Sequence, residues 1–101
     1  MNKARRKELS DVIRGLNVIK ERDDLADWMS ILDTIKSDEE GYYDNIPENL
    51  QYSQRAEDSE AAIESLDEAL DWLNEAYCMD NFDVNCTFIQ KAIDKIEDAR
   101  W

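Results

Sequence analysis

The fold is decided by the stretch EDSEAAIESLDEALDWLNEAYCM, from Glu57 to Met79. Large apolar side chains recur in it three and four residues apart, a spacing that returns them to one stripe of an α-helix. The stripe consists of Ile63, Leu66, Leu70, Leu73 and Tyr77. The sequence therefore predicts an amphipathic helix, over about residues 53–79, that packs on other helices through this stripe.

The remaining faces of this helix carry carboxylates, and no Lys or Arg occurs between Arg55 and Lys91. Ten carboxylates between residues 57 and 83 would lie along about 40 Å of helix, one per ~4 Å. Duplex DNA has one charge per ~1.7 Å, so two such helices side by side would approach its density. These numbers are compatible with nucleic-acid mimicry without requiring it, since acidic surface also keeps helical bundles soluble.

We predict that seven of these carboxylates form a partner-binding surface, which we name the acidic face. Its members are Glu57, Glu60, Glu64, Asp67, Glu68, Asp71 and Glu75. The interpretation fails if Arg and Lys residues of the same chain neutralise these carboxylates, or if the apolar stripe is open to solvent.

The overall charge restricts the class of partner. The 101 residues fit a single helical domain, 1–101, and they include 25 acidic and 12 basic residues, giving a formal net charge of −13. Such a charge repels nucleic acid and anionic membranes and attracts basic proteins. We therefore expect a basic protein partner, with no direct binding of nucleic acid or membrane. The basic cluster from Lys3 to Lys7 is interpreted as a solvated helix start.

The chain has no early apolar run typical of a secretory signal and no stretch of the ~20 apolar residues that a membrane span needs. We expect a soluble, cytoplasmic protein in which Cys78 and Cys86 are reduced thiols. On one continuous helix these two residues would lie about 12 Å apart along the axis and could not form a disulfide. A chain reversal between them would remove this objection.

A second pattern with three- and four-residue spacing extends from about residue 4 to residue 40. Its predicted core positions are Leu9, Ile13 (or Val12), Leu16, Ile19, Leu25, Trp28, Leu32 and Ile35. The core position in the middle falls on Arg22 or Asp23, and Asp23 or Asp24 could cap a second helix there. We favour one long helix with a local flaw, because a length of ~55 Å suits a coiled-coil hairpin.

A connector over residues 41–52 is predicted to separate the two long helices. Gly41 is expected to end the first helix, and Pro47 suits the start of a short turn. The connector contains the apolar and aromatic residues Tyr42, Tyr43, Ile46, Leu50 and Tyr52. We favour the interpretation that they plug the end of the hairpin; the alternative is an exposed contact surface.

After Tyr77 the apolar pattern changes phase, and Asp80, Asn81 and Asp83 favour a turn. We predict a break at this point and a further helix over about residues 83–100. Its core positions are Phe82, Cys86, Ile89, Ile93 and Ile96. Trp101 is expected to pack over a helix end.

Together these patterns predict an all-α protein, with a long antiparallel hairpin and a shorter C-terminal helix, as a three-helix bundle or coiled coil. The predicted core and assembly seam consists of Leu9, Ile13, Leu16, Ile19, Leu32, Ile35, Ile63, Leu66, Leu70, Leu73, Ile89, Ile93 and Ile96. Because each helix has one apolar stripe, we expect a homodimer to complete the core.

Sequence motifs for catalysis are missing. The chain has no His and only two Cys, which excludes the usual nucleophile pairs and zinc sites. All-α nucleotide pyrophosphohydrolases have an EExxE motif, but here Glu39 and Glu40 are followed by GYY. A calcium loop starting at Asn81 would need Gly at Cys86 and Glu at Ala92. We therefore predict no enzyme activity, no catalytic residue, no metal site and no cofactor.

The segments MNKARRKEL, DNIPENLQYSQRAE and EAAIESLDEALDWLNEA resemble a group of small acidic helical proteins of prophages and mobile elements of Gram-positive bacteria. The similarity covers roughly residues 1–16 and 41–77, and its most specific part is the connector. The region of Trp28 and residues 78–101 depart from the pattern. The resemblance implies a phage or mobile-element origin and a helical hairpin, and it implies no catalytic residue.

A weaker analogy links such proteins to anti-CRISPR and other counter-defence inhibitors. It implies that the acidic face occludes the basic nucleic-acid-binding surface of a host nuclease. The alternative function is a structural coiled-coil module that assembles with itself and has no host target.

Overall fold

Four α-helices account for most of the described chain: α1 (Lys3–Leu16), α2 (Arg22–Asp44), α3 (Gln54–Tyr77) and α4 (Thr87–Arg100). A short 3-10 helix, Glu48–Leu50, lies between α2 and α3. This computed structural model describes residues 3–50, 53–83 and 86–100, and none of them is in a β-strand. The predicted all-α class is confirmed, with four helices in place of three.

The additional helix arises because the first half of the chain contains two helices. The backbone N–H groups of Lys20 and Glu21 donate to the Asp24 carboxylate at 3.1 and 3.3 Å. The backbone N–H of Asp24 in turn donates to the backbone carbonyl of Glu21 at 3.1 Å, and Glu21 and Asp24 occupy the two positions of a capping box. The expectation of one helix over residues 4–40 is corrected: the chain breaks, and Asp24 helps to start the second helix.

Between α2 and α3 the observed connector is shorter than predicted. α2 continues through Gly41 to Asp44, and Gly41 lacks the positive φ of a helix-ending glycine. The hydroxyl of Ser53 accepts a hydrogen bond from the backbone N–H of Ala56 at 3.3 Å, so Ser53 is the N-cap of α3. α3 therefore starts close to the expected position, whereas the predicted stop at Gly41 is wrong.

The chain reverses between α3 and α4. The rings of Trp72 and Phe88 stack at 5.7 Å, and Lys95 pairs with Glu68 at 2.8 Å, so later residues of α4 meet earlier residues of α3. A break therefore lies where the phase of the apolar pattern changes, and the last helix covers residues 87–100 rather than 83–100. The expectation for Trp101 falls outside the described residues.

Each helix is antiparallel to the next one along the chain. Arg5 pairs with Glu39 at 2.6 Å, whereas Gly15, near the end of α1, lies against Trp28, near the start of α2. Glu39 also accepts a hydrogen bond from Ser59, near the start of α3. Because α1 packs on α4 as well, the four helices close into an up-down-up-down bundle of 49 × 21 × 18 Å.

The core lies inside this ring of helices. Eleven of the thirteen predicted seam residues are buried, and the other two, Ile63 and Leu70, are half-buried. On α3 the most buried face lies to one side of the predicted stripe and is rich in alanine: Ala56, Ala62, Leu66, Ala69, Leu73 and Ala76. Since alanine side chains are small, this face lets the neighbouring helices approach α3 closely.

The chain's own helices thus cover the predicted seam. A homodimer is expected when each apolar stripe lacks a partner within one chain. Among the described residues the apolar stripe of α3 has such partners, because α3 packs on both α2 and α4. A homodimer stays a prediction, and it is not needed to bury the seam.

Candidate protein-interaction face

The acidic face lies on the outer side of α3. Six of its members, Glu57, Glu60, Glu64, Asp67, Asp71 and Glu75, recur at intervals of three and four residues and so form one stripe opposite the buried face. Glu68 follows Asp67 directly, and these two carboxylates lie at the two edges of the stripe. All seven side chains are exposed. Eighteen residue steps of α-helix span about 27 Å, so the face is a straight row of carboxylates held on a rigid element.

Two of the seven carboxylates form ion pairs with lysines of neighbouring helices. Lys36 of α2 contacts Asp67 at 2.8 Å and also Glu40 at 3.5 Å. On the other side of α3, Lys95 of α4 contacts Glu68 at 2.8 Å. The carboxylates in both α3 pairs are about half exposed or more, so solvent and salt weaken these attractions.

The hydrogen bond from Lys36 to Asp67 is the main cause that raises the pKa of Lys36 above its ordinary value. In the same way, the hydrogen bond to Glu68 raises the pKa of Lys95. Both lysines are therefore fully charged at neutral pH, and each offsets one carboxylate at an edge of the acidic face.

The other five members of the acidic face form no ion pair with any described residue: Glu57, Glu60, Glu64, Asp71 and Glu75. Seven carboxylates minus two paired ones leave five uncompensated charges over about 27 Å, or one per ~5 Å. The condition that would overturn the interpretation, neutralisation by the same chain, is therefore not met in the described structure. This row can attract a positively charged surface.

Trp72 lies beside the acidic face and was not among the predicted site residues. Together with Glu68, Asp71, Glu75 and Lys95 it lines a shallow depression of about 480 Å³. The sequence indicates this position in part: Trp72 follows Asp71 of the acidic face and precedes Leu73 of the core. Its partner Phe88 comes from α4, so the depression depends on how the two helices pair.

A buried polar group joins three helices and was also missed. The Glu39 carboxylate is fully buried and accepts from Arg5 of α1 at 2.6 Å and from the hydroxyl of Ser59 of α3 at 2.8 Å. The signal was present in the sequence, because Glu39 continues the spacing of Leu32 and Ile35. Its partners and burial give it a structural role, away from the acidic face.

The apolar residues of the connector divide between the two interpretations. Ile46 is buried, Tyr42 and Tyr43 are half-buried, and Leu50 is 47% exposed. Ile46 is therefore covered by the protein, as the first interpretation expects, whereas Leu50 faces solvent as the second expects. Tyr52 lies outside the described residues.

Within residues 3–50, 53–83 and 86–100, no three His, Cys, Asp or Glu side chains are placed to hold a metal ion together. Cys78 is an exposed free thiol and Cys86 a half-buried one. Among the described helices, none combines the length and the apolar character that crossing a membrane requires.

Comparison with family models, with curated proteins and with solved structures found no match to this chain. The resemblance to prophage and mobile-element proteins is neither supported nor contradicted by this result, and it stays a prediction.

Proposed function

We propose that this chain is a non-enzymatic protein-binding protein whose acidic face binds a basic surface of a partner. The partner class that fits best is a protein that handles nucleic acid, such as a host defence nuclease, because its basic channel already accommodates rows of phosphates. Binding would keep nucleic acid out of that channel. A phage or mobile-element origin belongs to the same proposal and rests on the resemblance.

The observation that carries the proposal is the row of five carboxylates that have no cation partner among residues 3–50, 53–83 and 86–100. A solubilising surface needs no such arrangement, since mixed charges with paired lysines serve the same purpose. Because the row stands on α3, which packs on two other helices, it is rigid before binding and loses little conformational entropy on association.

The experiment uses a fluorescent oligolysine peptide as a probe of the acidic face. Binding is measured by anisotropy at low and high salt. The triple variant Glu57→Lys, Glu64→Lys, Glu75→Lys should lose binding by more than tenfold, and wild-type binding should weaken steeply as salt rises. Both results are expected if the row of carboxylates is the binding surface.

A matched control changes the same number of charges on α2, with Asp27→Lys, Asp33→Lys and Asp38→Lys. These side chains are exposed and have no ion pair among the described residues. The control should retain most of the binding. An equal loss in both triple variants would show that only net charge matters, and the proposal of a specific face would be rejected.

The structural alternative, a module that assembles only with itself, makes the opposite prediction. In that case the charge-reversal variants would keep full function in a host, whereas Leu66→Ala, in the core of α3, would abolish it through loss of assembly. Light scattering on the wild-type chain at micromolar concentration separates a monomer from an oligomer directly.

A further inference from the structure

The depression at the edge of the acidic face combines an aromatic floor with a carboxylate rim. It is lined by Trp72, by the carboxylates of Glu68, Asp71 and Glu75, and by Lys95; we call the Trp72 ring its floor and the three carboxylates its rim. The Trp72 ring is half-buried and stacks on Phe88 with an interplanar angle of 19°. The stacked pair is held between α3 and α4, so the ring presents a fixed surface to an incoming side chain.

The same ring already attracts a cation of this chain. The ammonium nitrogen of exposed Lys91 lies 4.4 Å from the centroid of the Trp72 ring, within the range of a cation–π contact, and indole is the aromatic ring that attracts cations most strongly. Lys91 does not line the depression. Because Lys91 is exposed, its side chain can leave the indole when a cation from a partner binds there.

Two rim carboxylates are available to the same cation. Asp71 and Glu75 lie four residues apart on α3, about 6 Å along the axis, and neither forms an ion pair with a described residue. The third rim carboxylate, Glu68, forms an ion pair with Lys95. A positive side chain that enters the depression thus meets an aromatic surface below and two uncompensated carboxylates beside it.

Arginine fits this combination better than lysine. Its planar guanidinium stacks on an aromatic ring, and its N–H groups, which project in the plane of the guanidinium, can still bind carboxylates beside the ring. The ammonium of lysine is compact and strongly hydrated, and it has no flat surface to stack. Tryptophan and arginine are also the residues that most often dominate the free energy of protein–protein binding.

We propose that the depression beside Trp72 binds an arginine side chain of the partner, with its guanidinium stacked on the indole and paired with Asp71 or Glu75. The inference rests on the proposed function, which it deepens by naming the side chain that anchors a basic partner. The groove on the opposite edge of the acidic face is a poorer place, because its aromatic residue is Tyr43 and its Lys36 pairs with two carboxylates, Asp67 and Glu40. In the depression, Lys95 pairs with Glu68 alone among the described residues.

The test compares oligoarginine and oligolysine peptides of equal length and charge, measured by anisotropy on the full chain. Wild-type protein should prefer oligoarginine by about tenfold, which corresponds to ~1.4 kcal/mol. Trp72→Leu should reduce this preference at least threefold and affect oligolysine binding little. Tyr43→Leu, a half-buried aromatic residue on the α2 side, is the matched control and should keep the wild-type preference.

Because Trp72 also packs on Phe88, two further variants guard against loss of folding. Trp72→Phe keeps a stacked ring with a weaker attraction for cations and should give an intermediate preference. The exposed pair Asp71→Asn and Glu75→Gln leaves the aromatic pair untouched and should also reduce the preference. Circular dichroism checks that each variant is as helical as the wild type.

The inference is rejected if the ratio of the two affinities is the same in wild type, Trp72→Leu and the Asp71 and Glu75 variant. In that outcome the proposed function still stands, provided both peptides lose binding in the Glu57, Glu64 and Glu75 triple variant. If neither peptide binds the wild type at low salt, the proposed function itself fails.

Discussion

Arg5 and Glu39 join the start of α1 to the last third of α2 through an ion pair of 2.6 Å between Nε and Oε2. The Glu39 side chain is fully buried and that of Arg5 is 13% exposed. The desolvation cost of such a pair roughly cancels its attraction, but removing one partner leaves the other charge buried without the ion pair that balanced it.

We therefore predict that Glu39→Ala lowers the free energy of unfolding by about 3 kcal/mol. The double variant Arg5→Met, Glu39→Leu should regain most of that loss, because it removes both charges and keeps the volume. Urea denaturation followed by circular dichroism measures both. If the double variant is as unstable as Glu39→Ala, the charge imbalance is not the cause.

The two glycines give opposite predictions for the same substitution. A Cβ at Gly15 would collide with the Trp28 ring, whereas a Cβ at Gly41 meets nothing within 4 Å. Gly15→Ala should destabilise by about 1–3 kcal/mol through overpacking. Gly41→Ala, inside α2 and without positive φ, should stabilise by up to ~1 kcal/mol. Thermal unfolding of both variants checks the signs, and a stabilising Gly15→Ala would contradict the contact with Trp28.

Lys36 gives a prediction for alkaline pH. Its hydrogen bond to Asp67 raises the folded-state pKa above 10.5, so the folded protein holds the proton more tightly than the unfolded chain. The stabilisation is complete below the unfolded pKa and is lost as pH rises through the higher folded pKa. Lys36→Met should lower the free energy of unfolding by about 0.5 kcal/mol at neutral pH. At a pH above the folded-state pKa of Lys36, the variant and the wild type should be equally stable.

The control for this measurement is Lys20→Met, because the Lys20 side chain is exposed and forms no ion pair with a described residue. Its free energy of unfolding should follow the wild-type pH dependence. A Lys36→Met difference that persists unchanged in strong alkali would show that apolar contacts of the lysine stem, rather than the ion pair, stabilise the fold.

Arg22 connects the start of α2 to the end of α3. Its guanidinium donates to the carbonyl of Met79 and lies 5.9 and 5.8 Å from the ring centroids of Tyr77 and Phe82. Arg22→Ala should cost about 2 kcal/mol and speed hydrogen exchange at the end of α3. Arg14→Ala, which loses only an exposed pair, should cost less than ~0.5 kcal/mol; equal losses would contradict the role of Arg22.

Periodicity predicted the fold class and most of the core, because large apolar residues mark core positions reliably. Together with Asp80, Asn81 and Asp83 it predicted a break after α3, but it left open whether the chain reverses there. The predicted apolar stripe of α3 lies to one side of the face that is buried. The reason is that the pattern was traced through large apolar side chains such as Ile63 and Leu70, and small ones such as Ala62 and Ala69 were not counted. The buried alanines become visible only when the close approach of the neighbouring helices is known.

Two further features could not be derived from one segment of sequence. The break before α2 depends on the hydrogen bond from the backbone N–H of Glu21 to the Asp24 carboxylate. A continuous helix through the same residues has a similar intrinsic propensity, so the local sequence does not decide between the two conformations. The depression beside Trp72 requires α4 to return along α3 so that Phe88 reaches the indole. By contrast, the acidic face follows directly from spacing, since side chains at these positions project to one side of a single helix.

Because the five uncompensated carboxylates of α3 contact neither α2 nor α4 through ion pairs, substitutions at their positions leave the interior untouched. A randomised library at residues 57, 60, 64, 71 and 75 would therefore change what the molecule recognises without redesigning its packing. The bundle can therefore serve as a scaffold, because α3 packs in the core through one face and carries the replaceable binding residues on the opposite face.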